Sequence, residues 1–149
     1  MDSRTKPQLS PKDLAVIAMF LGIQGGRWLL LLAKFFLTYK ASYIFSSIGF
    51  QVAQLLFFIP LHLAAGFGIY TLKPWARKLT ITVAILKGTM SGLGAVAFII
   101  AIAAGQSFSE REVEAIGTSI VEVVAYSYIV WHLRRPTIRG RFSPTLRKS

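Results

Sequence analysis

Residues 41 to 72 run for 32 positions without an aspartate, glutamate, lysine or arginine. About 20 apolar residues suffice for a helix to cross the hydrocarbon core of a bilayer, so this stretch must contain a membrane span, placed at residues 48–72. A second stretch, 79–104, carries a single charge, Lys87, and the uncharged run from Gly88 extends to Ser109. It is long enough to cross with some tilt. Two further apolar segments are interrupted, 14–37 by Arg27 and Lys34 and 113–133 by Glu114 and Glu122. The chain therefore reads as all-α, a four-helix transmembrane bundle over residues 13–135, with a short segment 1–12 before it and a basic tail 136–149 after it.

Charge placement tests the four spans. The formal charge is +11, from 17 Lys and Arg against 6 Asp and Glu, a balance that in a soluble protein points to nucleic acid. Yet 54% of the 149 residues are apolar and 15% are charged, more apolar material than one soluble core of this size hides, which argues against an ordinary water-soluble enzyme. Beside membrane spans, lysine and arginine mark the cytoplasmic side. Arg4, Lys6 and Lys12 precede the first span, Lys73, Arg77 and Lys78 join the second to the third, and Arg134, Arg135, Arg139, Arg141, Arg147 and Lys148 follow the fourth. Against these 12, the other two connections hold only Lys40 and Arg111. That asymmetry fits four spans with both termini cytoplasmic, whereas three or five spans would carry one basic end to the wrong side. The apolar run from Leu14 continues through Trp28 to Leu37 without a small-x-small cleavage site, so the amino terminus reads as an uncleaved anchor. Residues 1–12 and 136–149 have little to bury and read as mobile.

The most distinctive local pattern is Lys73-Pro74-Trp75-Ala76-Arg77-Lys78. Proline suits the first turn of a helix, tryptophan sits at headgroup level, and the cations hold the turn at the cytoplasmic interface. With the preceding Gly66-Phe67-Gly68-Ile69-Tyr70-Thr71-Leu72, this segment resembles the middle of small prokaryotic four-helix membrane proteins of unknown function. The resemblance covers about residues 60–90. It implies an integral protein of a prokaryotic cell membrane and brings no catalytic residue with it.

Polar residues inside the spans are costly in lipid and face protein or water. At 100° per residue, Gln24, Arg27 and Lys34 share a face of span one; Gln51, Gln54 and His62 share one on span two; Thr80, Lys87 and Ser91 on span three; Thr118, Ser119 and Glu122 on span four. Turned inward, these stripes give an intramembrane polar cluster of Gln24, Arg27, Gln54, His62, Lys87 and Glu122. A rise of ~1.5 Å per residue puts Arg27, His62, Lys87 and Glu122 about 13–21 Å from the cytoplasmic ends of their spans. Glu122 is the one acid in the middle of any span, so Arg27 or Lys87 is expected to neutralise it, leaving the other to snorkel, bind an anion or face water, while Lys34 is expected to reach the outer interface. Either this pair is structural and sets helix register, or it is a proton or substrate site with His62 as an accessory. His62, two residues after Pro60, is expected to bond a backbone carbonyl released by the proline. With no second histidine inside a span, neither a metal nor a cofactor is expected.

Small-xxx-small pairs occur at Gly22/Gly26 and Gly88/Gly92, where helix backbones can approach closely. They suit packing within the chain, a homo-oligomer or a larger membrane complex. The basic tail suits anionic lipid headgroups at about 1 kcal/mol per cation; its one aromatic, Phe142, and its lack of a recognition-helix pattern argue against nucleic acid. His132 belongs with Trp131 to an interfacial belt. The absence of cysteine excludes disulfides and thiolate chemistry, and no P-loop, GxSxG, HExxH or dinucleotide fingerprint is present. The expected function is a non-enzymatic accessory or assembly component acting through helix packing and a basic cytoplasmic face; the alternative is a small transporter or channel-like oligomer centred on Glu122.

Overall fold

A computed structural model describes residues 11–38 and 49–142, and these are all helical apart from their turns. The helices are α1 (Pro11–Thr38), α2 (Gly49–Tyr70), α3 (Pro74–Ala103), α4 (Glu110–Arg134) and α5 (Pro136–Arg141). The first four are long and apolar enough to cross a membrane. They match the four segments expected from the sequence, with ends shifted by a few residues. The largest shift is at α3, which begins at Pro74 rather than 79. Pro74 gives up no hydrogen bond at this position and its fixed φ is already helical.

The chain divides into two compact units, residues 1–80 with 136–149, and residues 81–135. In the first, α1 packs along α2. Ala18 lies against Gly66, Gly25 against Leu63, and Trp28 against Phe58, so the two helices run antiparallel. A Cβ on Gly66 would stand 3.1 Å from the Ala18 carbonyl oxygen and 3.4 Å from the Gly22 nitrogen, which shows how closely the backbones approach there. The buried stripe of α1 is Leu14, Ile17, Ala18, Leu21, Trp28 and Leu32.

The end of α2 is a Schellman turn. Lys73 N–H donates to the Gly68 carbonyl (2.8 Å) and Leu72 N–H to that of Ile69 (3.1 Å), with Leu72 itself left-handed at φ 54°. Lys73 then caps α3 by accepting from Ala76 N–H at 3.0 Å. Gly68 makes room for this turn, because a Cβ there would run into the Ala76 methyl and the Trp75 ring.

The start of the tail departs from expectation. Residues 136–141 form α5, and Ile138 and Phe142 are buried. Their spacing of four puts both on one face, enough to anchor a single turn among arginines. Arg141 joins Leu14, Ala15, Ile69, Tyr70 and Leu72 around a small cavity of about 230 Å³. Pro11 and Lys12, expected to be mobile, open α1; the expected mobility of residues 1–10 and 143–149 lies outside the described residues.

In the second unit α3 and α4 also run antiparallel, since Gly88 meets Tyr126, Ser91 meets Glu122 and Phe98 meets Phe108. At the start of α4, the Glu112 carboxylate accepts from Ser109 N–H (2.8 Å) and from the Ser109 hydroxyl (2.7 Å). This is a capping box, which satisfies donors the first turn leaves open.

Candidate functional site

Lys87 and Ser91 are four residues apart on α3 and so share a face, and Glu122 approaches that face from α4. Lys87 Nζ lies 3.3 Å from Glu122 Oε2, and the Ser91 hydroxyl donates to the same oxygen at 2.8 Å. Glu122 is only 6% exposed, so its charge is held by these two partners rather than by solvent. It stands 12 residues from either end of α4, about 18 Å by the helical rise. Lys87 is 13 residues from the start of α3 and 16 from its end. The pair therefore sits at mid-length of both helices, where a lone charge is most costly in a bilayer.

Gly88 and Gly92 let the helices meet at this level. A Cβ on Gly88 would stand 3.3 Å from the Tyr126 Cβ, and one on Gly92 would stand 3.8 Å from a Val123 methyl. The Gly88/Gly92 pair thus lies at a contact within the chain. The hydroxyls of Thr118 and Ser119 donate to the carbonyls of Glu114 and Ala115, both at 3.0 Å, so the polar stripe of α4 reduces to Glu122. Beside the ion pair an open groove of about 530 Å³ runs between α3 and α4, from Gly88 and Val123 to Trp131 and Arg134. At its far end the Arg135 guanidinium lies 3.6 Å from the centre of the Trp131 ring, a cation–π stack.

The other expected cluster residues lie in the first unit. His62 is buried, and its Nδ1 donates to the Phe58 carbonyl at 2.9 Å. The carbonyl that Pro60 releases is that of Leu56, four residues before it, so the bonding partner differs from the expected one. The Trp28 ring meets the imidazole edge-on with centroids 4.6 Å apart, completing a Trp28–Phe58–His62 aromatic core. Gln24 is buried, and its Oε1 has no hydrogen-bond partner among the described residues; Gln54 is half-buried and Gln51 exposed. Arg27 is exposed and does not turn inward with the buried Gln24 as expected; Lys34, expected at the outer interface and not in the cluster, is exposed too. The buried face of α1 is the Leu21–Gln24–Trp28 side, and Arg27 falls on its flank.

Gly22 and Gly26 have open space where a Cβ would go. The close approach on α1 comes instead at Gly25, where a Cβ would stand 2.8 Å from a Leu63 methyl, and opposite Gly66. The packing roles of Gly25, Gly66, Trp28 and Tyr126 are not expected from the sequence, where the Gly25-Gly26 doublet does not say which glycine faces a neighbour. Of the turn residues, Pro74 opens α3, Lys73, Trp75 and Lys78 are exposed, and Arg77 is half-buried. His132 is buried while Trp131 is exposed, so the two do not share a belt as expected, and the His132 ring stacks on Tyr128 with centroids 5.6 Å apart. No group of three histidine, cysteine or acidic residues able to hold a metal occurs among the described residues. Compared with known protein families, curated proteins and solved structures, the chain matches none.

Proposed function

We propose that the chain is a non-enzymatic integral membrane protein of a prokaryotic cell membrane, a four-helix bundle with both termini cytoplasmic. In this reading it works as an accessory or assembly component through helix packing. The observation that carries the proposal is the closure of the mid-helix polar site. Glu122 is answered by Lys87 and Ser91, an arrangement suited to setting the register of two helices. A transport site needs a carboxylate that exchanges partners as it titrates.

The apolar faces around the site support the same reading. Only 11% of the apolar window of α3 and 17% of that of α4 is buried, leaving Leu93, Val96, Ile99 and Ile100 on α3 and Val121 and Val124 on α4 exposed. Such faces suit lipid or a helix of another protein. An accessory component co-purifies in mild detergent with a fixed partner, identified by mass spectrometry; a particle containing this chain alone refutes the proposal. The transporter alternative is tested by Glu122→Gln in proteoliposomes. Loss of a proton-linked flux with the fold intact establishes transport, whereas lowered thermal stability without any flux supports a structural pair.

A further inference from the structure

Resting on the membrane placement proposed above, we infer that the groove between α3 and α4 is a binding site for one anionic phospholipid, with its phosphate at Arg134 and an acyl chain along the groove floor. The body of the groove is lined by Ala84, Gly88, Val123 and Val130 with the uncharged polar Thr89 and Ser127 among them, and its end by Trp131 and Arg134. From Val123 to Arg134 is 11 residues of α4, about 16 Å along the helix. Half of the ~30 Å hydrocarbon core is ~15 Å, so the groove spans one leaflet, from the mid-helix ion pair to the interface.

The cation lies at the headgroup end. Arg134 is exposed where the groove opens, and Arg135 beside it is held against Trp131. Arginine commonly stacks on an aromatic face, and its planar fork of N–H donors matches phosphate geometry. Tryptophan at this level suits the same interface. The other end has no charge to offer a second headgroup, because Glu122 is engaged by Lys87 and Ser91. One cationic end, one leaflet of length and a wall otherwise free of charged side chains together describe a single phospholipid.

The test is native mass spectrometry of the full chain in mild detergent, with equal amounts of palmitoyl-oleoyl phosphatidylglycerol and the matching phosphatidylcholine. The wild type is expected to retain phosphatidylglycerol over phosphatidylcholine, and Arg134→Ala to lower its retention about fivefold, the effect of one surface cation. Arg134→Lys restores most of the preference. Ser127→Trp, at an exposed position lining the groove, blocks the chain and removes both lipids without shifting the melting temperature. Arg139→Ala, which removes an exposed cation of α5, leaves retention unchanged. Equal retention of the two lipids, indifference to Arg134→Ala and Ser127→Trp, or an equal loss from Arg139→Ala overturns the inference. Displacement of the lipid by millimolar inorganic phosphate overturns it too, since the site would then take a free anion. None of these readouts depends on a protein partner, so the lipid site and the accessory function fail separately.

Discussion

The ion pair at the middle of α3 and α4 is expected to be worth more than a surface pair and to show it asymmetrically. At 3.3 Å and an effective dielectric of about 20, the Coulomb attraction is about 5 kcal/mol. Desolvation of the two ions offsets part of this, leaving a coupling of about 2–3 kcal/mol. The Glu122 side chain is 8% exposed and that of Lys87 is 20% exposed, so the carboxylate has less access to other solvation. Lys87→Met strands it with only Ser91, and the expected loss is about 3 kcal/mol, the lower end for breaking a buried pair. Glu122→Gln keeps an acceptor for Ser91 and leaves an ammonium whose flexible stem can reach polar surroundings, for a loss of about 1–2 kcal/mol. The double variant loses less than the two single losses together by about 2 kcal/mol. Unfolding in mixed micelles titrated with SDS, followed by tryptophan fluorescence, measures all three. Additivity within about 0.5 kcal/mol refutes the coupling, and a larger loss for Glu122→Gln than for Lys87→Met refutes the assignment of the carboxylate as the more deeply held charge.

Three further outcomes follow from the same structure. Gly66→Val places side-chain atoms against the Ala18 carbonyl and is expected to cost about 1–3 kcal/mol by overpacking, while Gly22→Ala, which meets open space, stays within about 0.5 kcal/mol of wild type; equal effects in thermal melting would contradict the antiparallel pairing of α1 and α2. Leu72→Gly relieves a left-handed residue that is already 39% exposed, and should stabilise by up to about 1 kcal/mol; a lowered melting temperature shows that Leu72 packing outweighs its backbone strain. Because the chain has no cysteine, single substitutions report the side of each connection. An impermeant maleimide is expected to label Gln106→Cys in intact spheroplasts and Lys78→Cys only after lysis, and the reverse pattern inverts the orientation.

The four long helices were legible because a charge-free run of 32 residues leaves a chain few alternatives. The Lys87–Glu122 pair was half legible for a related reason. One acid lies in the middle of a span, and two cations at similar depth compete for it, but helical periodicity alone does not choose between Arg27 and Lys87. Arg27 was misplaced because α1 is apolar on nearly every side. With Val16, Met19, Ile23 and Leu30 exposed and Leu14, Ile17 and Leu21 buried, hydrophobicity does not separate the packed face from the outer one, and periodicity alone does not say that Gln24 is buried while Arg27 is exposed. The helix at Pro136 was hidden for the opposite reason: Ile138 and Phe142 are two apolar residues among arginines, and their burial depends on neighbours distant in sequence.

That ambiguity has a physical origin. When the surroundings are as apolar as the side chains, burying a leucine against another helix gains little, and helix contacts must be specified by shape and by polar groups. The two units use different means. Between α1 and α2 the contact rests on shape, with glycine at 25 and 66 admitting a neighbouring backbone or side chain and the rings of Trp28, Phe58 and His62 meeting edge to edge. Between α3 and α4 it rests on one charge pair, with Gly88 and Gly92 bringing the helices near enough for Lys87 and Ser91 to reach Glu122. Shape tolerates small volume-conserving changes by degrees, whereas a mid-helix carboxylate tolerates the loss of its cation poorly. The register of α3 against α4 is accordingly concentrated in a few side chains, and that of α1 against α2 is spread along a surface.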